Sequence, residues 1–225
     1  MEKALVLMSG GVDSTTCLAL AVEKYKKENV VALSVSYGQK HTREIAAAEE
    51  LAQYYGVEYI TIDLAPMFAY SNCTLLTHTG GEIPHTSYAE QLKETDGTPV
   101  STYVPFRNGL FLSAAASIAL SKGCSVIYYG AHSDDAAGSA YPDCSSEFHD
   151  AIRQAIYLGS GKQLTVSAPF VDKTKADVVR IGKELGVPYE RTWSCYEGKD
   201  KPCGVCGTCR DRKAAFVANG FLDID

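Results

Sequence analysis

The chain has 225 residues, 46% of them hydrophobic and 21% charged, enough for one α/β core that needs no disulfide staples. Its net charge of −6 leaves no Lys/Arg surplus to displace counterions from a nucleic-acid backbone, which argues against RNA or DNA and for a small-molecule substrate. The opening MEKALVLMSGG is too short an apolar run for a secretory leader, and no stretch approaches the roughly 20 apolar residues of a membrane span. The expectation is a soluble, cytoplasmic protein with no membrane partner, whose eight cysteines stay reduced.

Residues 3–8 (KALVLM) form an apolar run of strand formers, ended by Ser9-Gly10-Gly11. From Asp13 the period becomes helical, with Leu18, Ala21, Val22 and Tyr25 on one face. Residues 30–36 (VVALSVS) predict a second strand, then a helix holding Ile45, Ala48, Ala52 and Tyr55 in register, and residues 58–63 (EYITID) a third strand. Residues 66–102, rich in Thr, Gly, Pro and His, carry no sustained period; so long a stretch is an active-site cover or a plain surface excursion. Order resumes with an apolar helix from Asn108 to about Lys122 and a buried strand at 125–131 (SVIYYGA). A helix near 145–158, a strand at 163–168 and a helix from Thr174 to Leu185, stopped by Gly186 and Pro188, follow. From Trp193 the chain changes in kind, to cysteines, glycines and charges, and closes on a short helix.

Strand alternating with helix predicts an α/β fold with a doubly wound, mostly parallel, Rossmann-like sheet. Residues 1–192 read as the nucleotide-binding unit, and residues 193–225 as a metal-binding segment packed on it.

The strongest local signal is Ser9-Gly10-Gly11-Val12-Asp13-Ser14-Thr15, placed between a strand and a helix. Glycines let backbone amides approach phosphate oxygens, the helix N-terminus contributes its positive dipole end, and the hydroxyls add donors. Asp13 belongs in such a cradle only beside a magnesium ion. The pattern is neither G-x-x-x-x-G-K-[ST] nor G-x-G-x-x-G. It resembles the SGGxDS loop of the PP-loop ATP pyrophosphatases, which form adenylates and release pyrophosphate. That resemblance implies an ATP site running through Met8, Ser9, Gly10, Gly11, Val12, Asp13, Ser14, Thr15, Thr16, Cys17 and Leu18, with Cys17 itself read as a small core side chain.

Cys195, Cys203, Cys206 and Cys209 are spaced C-x7-C-x2-C-x2-C. Four thiolates so close suit a closed tetrahedral zinc site, structural rather than catalytic; iron–sulfur ligation has similar spacings.

Further segments narrow the resemblance. They are Tyr37-Gly38-Gln39-Lys40-His41 with Glu44 one turn on, Val104-Pro105-Phe106-Arg107-Asn108, Gly130-Ala131-His132-Ser133-Asp134-Asp135, Tyr141-Pro142-Asp143-Cys144 and Thr192-Trp193-Ser194-Cys195-Tyr196. Together with the phosphate loop and the cysteine tail, they make the chain resemble the 7-cyano-7-deazaguanine synthases of the queuosine precursor pathway over essentially its whole length. One departure is the longer link Ala136 to Ala140 before the YPDC segment.

The resemblance implies an ATP-dependent carbon–nitrogen ligase, a homodimer, that converts 7-carboxy-7-deazaguanine and ammonia to the nitrile through adenylated intermediates. Asp13, Ser14, Arg107 and Lys175 would carry the catalysis. Asp134, Asp135, Tyr141 and Asp143 would bind the substrate, with Asp143 the first candidate for the guanine-like edge. His41 and His132 read as polar contacts in the crevice or as structural histidines, and Cys144 as packing. The competing readings are a tRNA-thiolating enzyme of the same superfamily and a zinc-bearing binding module whose tail is made basic by Lys199, Lys201, Arg210, Arg212 and Lys213.

Overall fold

The computed structural model describes residues 2–86, 88–94, 98–198 and 200–221, so Lys199 of the basic tail lies outside the described residues. Five strands, β1 (Ala4–Leu7), β2 (Val30–Ser36), β3 (Glu58–Asp63), β4 (Val126–Tyr128) and β5 (Thr165–Ser167), form one sheet in the order β3-β2-β1-β4-β5. Every pairing is parallel, with Ala4 of β1 opposite Val30 of β2 on one side and Val126 of β4 on the other. The strands at the centre read as continuous apolar runs because helices cover both of their faces.

Alternation along each strand divides the core in two. Ala4, Val6, Ala32 and Tyr128 face a layer built from α1 (Val12–Tyr25), α2 (Arg43–Tyr55), α7 (Lys175–Glu184) and α8 (Gly207–Ala218), with Leu18, Leu51, Val178 and Phe216 among its buried contacts. Leu5, Leu33, Ile127 and Val166 face α4 (Arg107–Ser121) and α6 (Ser146–Gly159) through Leu112, Ala115, Ala119 and Ile156. The chain therefore leaves β1 toward one face and reaches β4 from the other. That reversal opens a crevice beyond the C-terminal ends of β1 and β4.

Two short helices complete the frame, α3 (Tyr88–Glu94) and α5 (Ser133–Ala136). The aperiodic stretch 66–102 holds α3, too short to register as a period, and much of the rest is stitched down. Lys40 N–H donates to Leu75 O at 2.8 Å, Thr77 N–H to Gly38 O at 2.8 Å and Thr74 N–H to Ser101 O at 3.1 Å. Phe68, Cys73, Leu75, Leu76 and Ile83 are buried there against Tyr37, Val104 and the cysteine segment. The longer link at 136–140 turns at Gly138, whose φ is +62° and where a Cβ would stand 2.7 Å from Leu92 of α3. Among the described residues no helix is long and apolar enough to cross a membrane.

Candidate active site

A cleft of about 790 Å³ occupies the crevice, large enough for a nucleotide beside a second small molecule. Met8, Ser9, Gly11, Asp13 and Ser14 of the phosphate loop form its floor. Gly10 stands at φ +83°, and a Cβ there would collide with Glu44 O and stand 2.8 Å from Ala48 N, so only glycine lets the loop lie against α2. The loop is held from within. Ser9 N–H donates to Ser14 Oγ at 3.2 Å, the Ser14 hydroxyl to Gly11 O at 3.3 Å, and the Thr15 hydroxyl to Gly11 O at 2.7 Å. The first amides of α1 have no partner inside their helix, and residues Gly11, Asp13 and Ser14 line the cleft, an arrangement that suits an anion.

Above the loop stand two basic side chains. The Lys175 ammonium is paired with Asp13 Oδ2, and His132 Nε2 lies 3.5 Å from Lys175 Nζ and 3.3 Å from Asp135 Oδ2. Lys175 opens α7, where Thr174 and Asp177 form a reciprocal capping box, and its own amide donates to Asp134 Oδ2 at 2.7 Å. Burial pushes the Asp13 carboxyl up, but Lys175 and His132 outweigh it and hold it below the usual carboxylate range. For Lys175, burial acts against the charge and Asp13 and Asp135 restore it, so the ammonium is held more firmly than in water. Asp13 Oδ1 is buried with no hydrogen-bond partner among the described residues. It lies 3.9 Å from His132 Nε2, and a carboxylate oxygen without a hydrogen bond suits a hard divalent cation.

Across the cleft Arg107 is half-buried, donates to Tyr37 OH at 3.2 Å and lies 5.3 Å over the Tyr37 ring. Burial works against its charge, yet Tyr37, Tyr196 and Asp143 keep the guanidinium well above its ordinary value.

The last wall comes from the tail. Trp193 N–H donates to Gly10 O at 2.9 Å, tying the cysteine segment to the phosphate loop. The Sγ atoms of Cys195, Cys203, Cys206 and Cys209 all lie within 4.8 Å of one another. Gly198 N–H donates to Cys195 Sγ at 3.0 Å and Cys206 N–H to Cys203 Sγ at 3.3 Å, bonds that favour thiolate over thiol. A tetrahedral ion bound at about 2.3 Å spaces its sulfurs about 3.8 Å apart, and Cys203 and Cys209 are 4.0 Å apart. The donor set fits a metal ion. Arg212 anchors the helix that follows, donating to Thr192 Oγ1 at 2.6 Å and Tyr189 O at 2.9 Å.

The fold family is visible in known structures. The U34-tRNA thiolase NcsA from Methanococcus maripaludis with its 4Fe-4S cluster superposes with a TM-score of 0.50 at 18% identity, over 97% of this chain and 66% of that one. NMN synthetase from Francisella tularensis gives 0.51 at 17% identity, over 98% and 78%. Sequence relatives are nearer. The 7-cyano-7-deazaguanine synthase of Archaeoglobus fulgidus is 44% identical over 98% of this chain and 88% of its own length. Those of Caldicellulosiruptor bescii (41%, over 98% and 95%) and Thermoplasma acidophilum (42%, over 99% and 90%) are similar. The family described as queuosine biosynthesis protein QueC matches residues 3–220. The chain belongs to this family.

In this QueC-family chain the cleft gathers most, though not all, of the residues expected from sequence. Asp13, Ser14, Arg107, Lys175, Asp134, Asp135 and Tyr141 line it together. Gly10, Val12, Thr15, Thr16, Cys17 and Leu18 do not. Thr16 bonds Val12 O and lies 3.0 Å from Tyr189 OH, while Val12, Cys17 and Leu18 belong to the core. Asp143 is also outside the lining. Its Oδ2 takes the Asn108 amide at 2.8 Å, closing the start of α4, and burial raises its carboxyl above the usual range. Sequence reasoning missed Tyr129, Thr208 and Asp211, which line the same cleft. Burial pushes Asp211 up to about 6. Only the placement of α8 brings it there, and no local pattern signals that.

Proposed function

We propose that this QueC-family enzyme converts 7-carboxy-7-deazaguanine and ammonia to 7-cyano-7-deazaguanine through two successive adenylations. The carboxylate attacks the α-phosphorus of ATP and expels pyrophosphate. Ammonia then displaces AMP to give the amide, whose oxygen is adenylated in turn, and loss of AMP leaves the nitrile. ATP turns a poor oxide leaving group into a phosphate ester both times. The protein's contribution is alignment and charge stabilisation.

The observation that carries the reading is one cleft in which the phosphate loop faces Lys175, Arg107 and three aspartates. The amides of the loop and the Ser9 and Ser14 hydroxyls suit the phosphates of ATP, and Lys175 suits the charge that gathers on departing pyrophosphate. Arg107 presents a planar fork to a carboxylate. Asp134, Asp135 and Tyr141 supply polar contacts for the deazapurine; Asp143, held to Asn108, fixes the start of α4 beside them. Asp13 Oδ1, buried without a hydrogen bond, fits Mg2+. That ion supplies neutralisation of the phosphate oxygens when bound.

The thiolate knot is read as a zinc site. Sulfurs this close suit one ion, whereas a four-iron cube holds its thiolates farther apart. Residues 193–225 are then a zinc-tied wall of the site, next to the nucleotide-binding unit of residues 1–192. A homodimer in the cytoplasm, with no nucleic-acid partner, belongs to the same reading and is checked by light scattering.

The decisive experiment incubates the protein with ATP, magnesium, ammonium and 7-carboxy-7-deazaguanine, with products followed by mass spectrometry. Nitrile with AMP and pyrophosphate is expected. AMP without nitrile would keep the adenylation and reject the acceptor. ADP, or no turnover by zinc-loaded protein, would overturn the mechanism.

A further inference from the structure

Ammonia is almost wholly ammonium at neutral pH and has no lone pair until a base takes a proton. Most carboxylates of the cleft are engaged elsewhere. Asp13 is paired with Lys175, Asp134 accepts the Lys175 amide, and Asp135 faces His132. Asp211 lies within the field of that same group. Glu44 stands apart from that group, on α2, beside His41.

We infer that Glu44 is the base that deprotonates ammonium at the adenylate, and that His41 is its positioning residue; the inference rests on the reaction proposed above. The first turn of α2 is pressed onto the phosphate loop, with the Glu44 carbonyl against Gly10, so Glu44 shares the cleft with Ser9 and Gly11. His41 Nε2 lies 3.0 Å from Glu44 Oε2 and its side chain is 1% exposed. Its ring packs on Tyr196 at 5.2 Å, and its Nδ1 is buried without a partner among the described residues. An imidazole so enclosed serves to fix the carboxylate: Nε2–H donates to Oε2 and leaves Oε1 for an incoming cation. Tyr37 and Tyr196 line the same cleft. His41 itself lines a second cleft, with Lys40, Arg43 and His85, so the pair forms part of the wall between the two.

The step balances. One N–H proton of ammonium passes to Glu44, and the freed pair on nitrogen forms the C–N bond. The bond between the acyl carbon and the AMP oxygen breaks with its electrons on AMP. A second proton leaves the attached nitrogen for solvent, and Glu44 returns its own proton to water.

The test first asks whether wild-type protein exchanges pyrophosphate with ATP in the presence of 7-carboxy-7-deazaguanine, which needs no ammonia; no exchange removes the underlying reaction. With exchange established, Glu44→Gln is compared with wild type for ammonium and for hydroxylamine, a nucleophile uncharged at neutral pH. kcat/KM for ammonium is expected to fall about 100-fold or more, the scale of a lost general base. Exchange and hydroxamate formation are expected to persist, and exchange also reports that the variant is folded. Equal loss with both nucleophiles, loss of exchange in folded protein, or an unchanged ammonium kcat/KM each overturns the assignment. His41→Gln repeats the comparison independently: a positioning role predicts a smaller selective loss for ammonium, and a merely structural role predicts equal losses.

Discussion

Asp13 illustrates how one residue couples the stability of the fold to its chemistry. Its carboxyl is held below the ordinary range, so the stabilisation is present above the unfolded value of about 3.9 and lost as pH falls through the folded value. Lys175 is raised, so its share is present below about 10.4 and lost as pH climbs through the higher folded value. Replacing Lys175 with Met leaves a buried carboxylate without its main cation and should cost about 3 kcal/mol near neutral pH. The deficit should shrink as pH falls and Asp13 gains a proton. Urea unfolding of both proteins across that range decides it, and a deficit independent of pH would reject the pairing. Activity should fall by about 100-fold or more in the same variant, as a cation facing the phosphates is lost. Phe106 is a second residue whose conformation costs energy. It adopts φ +56°, a left-handed geometry that suits glycine, while the residue is 58% exposed. Phe106→Gly should therefore be neutral or stabilising by about 1 kcal/mol, despite the lost edge contact with Phe148 at 6.0 Å. A loss of that size in thermal unfolding would mean the ring contributes more than the backbone strain takes away.

Elements differ in how far sequence reveals them. All five strands were legible, the central ones as apolar runs covered by helices on both faces and the edge strand β3 as β-branched and aromatic residues alternating with polar ones. The place of the loop after β1 and of Lys175 in one cleft was legible too, because a strand end and a helix start fix where such side chains emerge. By contrast, α3 spans seven residues and α5 four, too few for a period. Asp143 exposes a different limit: a carboxylate that closes a helix start and one that reads a ligand look alike in sequence, and the 2.8 Å bond to the Asn108 amide was not legible there. The tail is the largest such case. Its four cysteines announce a metal, but that Trp193, Tyr196, Thr208 and Asp211 then wall the cleft depends on how the knot orients α8. Stripping the metal, or Cys206→Ser, should therefore do more than loosen the tail. Stability should drop on the order of 5 kcal/mol, given the scale of structural zinc binding. The tail should become open to proteolysis, and the KM for ATP should rise as the Trp193–Gly10 bond is lost. Elemental analysis should find one zinc per chain; iron with sulfide, or unaltered ATP binding in stripped protein, would refute this view of the tail.

On the scale of the whole molecule, the site exists because two loops from opposite faces of the sheet meet at the reversal of strand order. Gly130, just past β4, marks the contact. A Cβ there would stand 2.9 Å from Asp13 Cβ, 3.0 Å from Asp13 C and 3.1 Å from Ser14 N. Most of that resistance is backbone, which cannot swing aside as a side-chain tip can. Even Gly130→Ala must push the phosphate loop away from β4, separating Asp13 from Lys175. The expected cost is about 1–3 kcal/mol, as for overpacking a tight interior, with a clear rise in the KM for ATP. Gly159 provides the control. It ends α6 in open space, with nothing within 4 Å of where a Cβ would stand, so Gly159→Ala should be neutral or stabilising by about 0.5–1 kcal/mol and leave kinetics unchanged. Chemical denaturation and steady-state kinetics on the two variants separate the general effect of adding a methyl group from the specific one of spreading the crevice. If Gly130→Ala lost stability but kept its affinity for ATP, the two loops would pack against each other without the contact shaping the phosphate site.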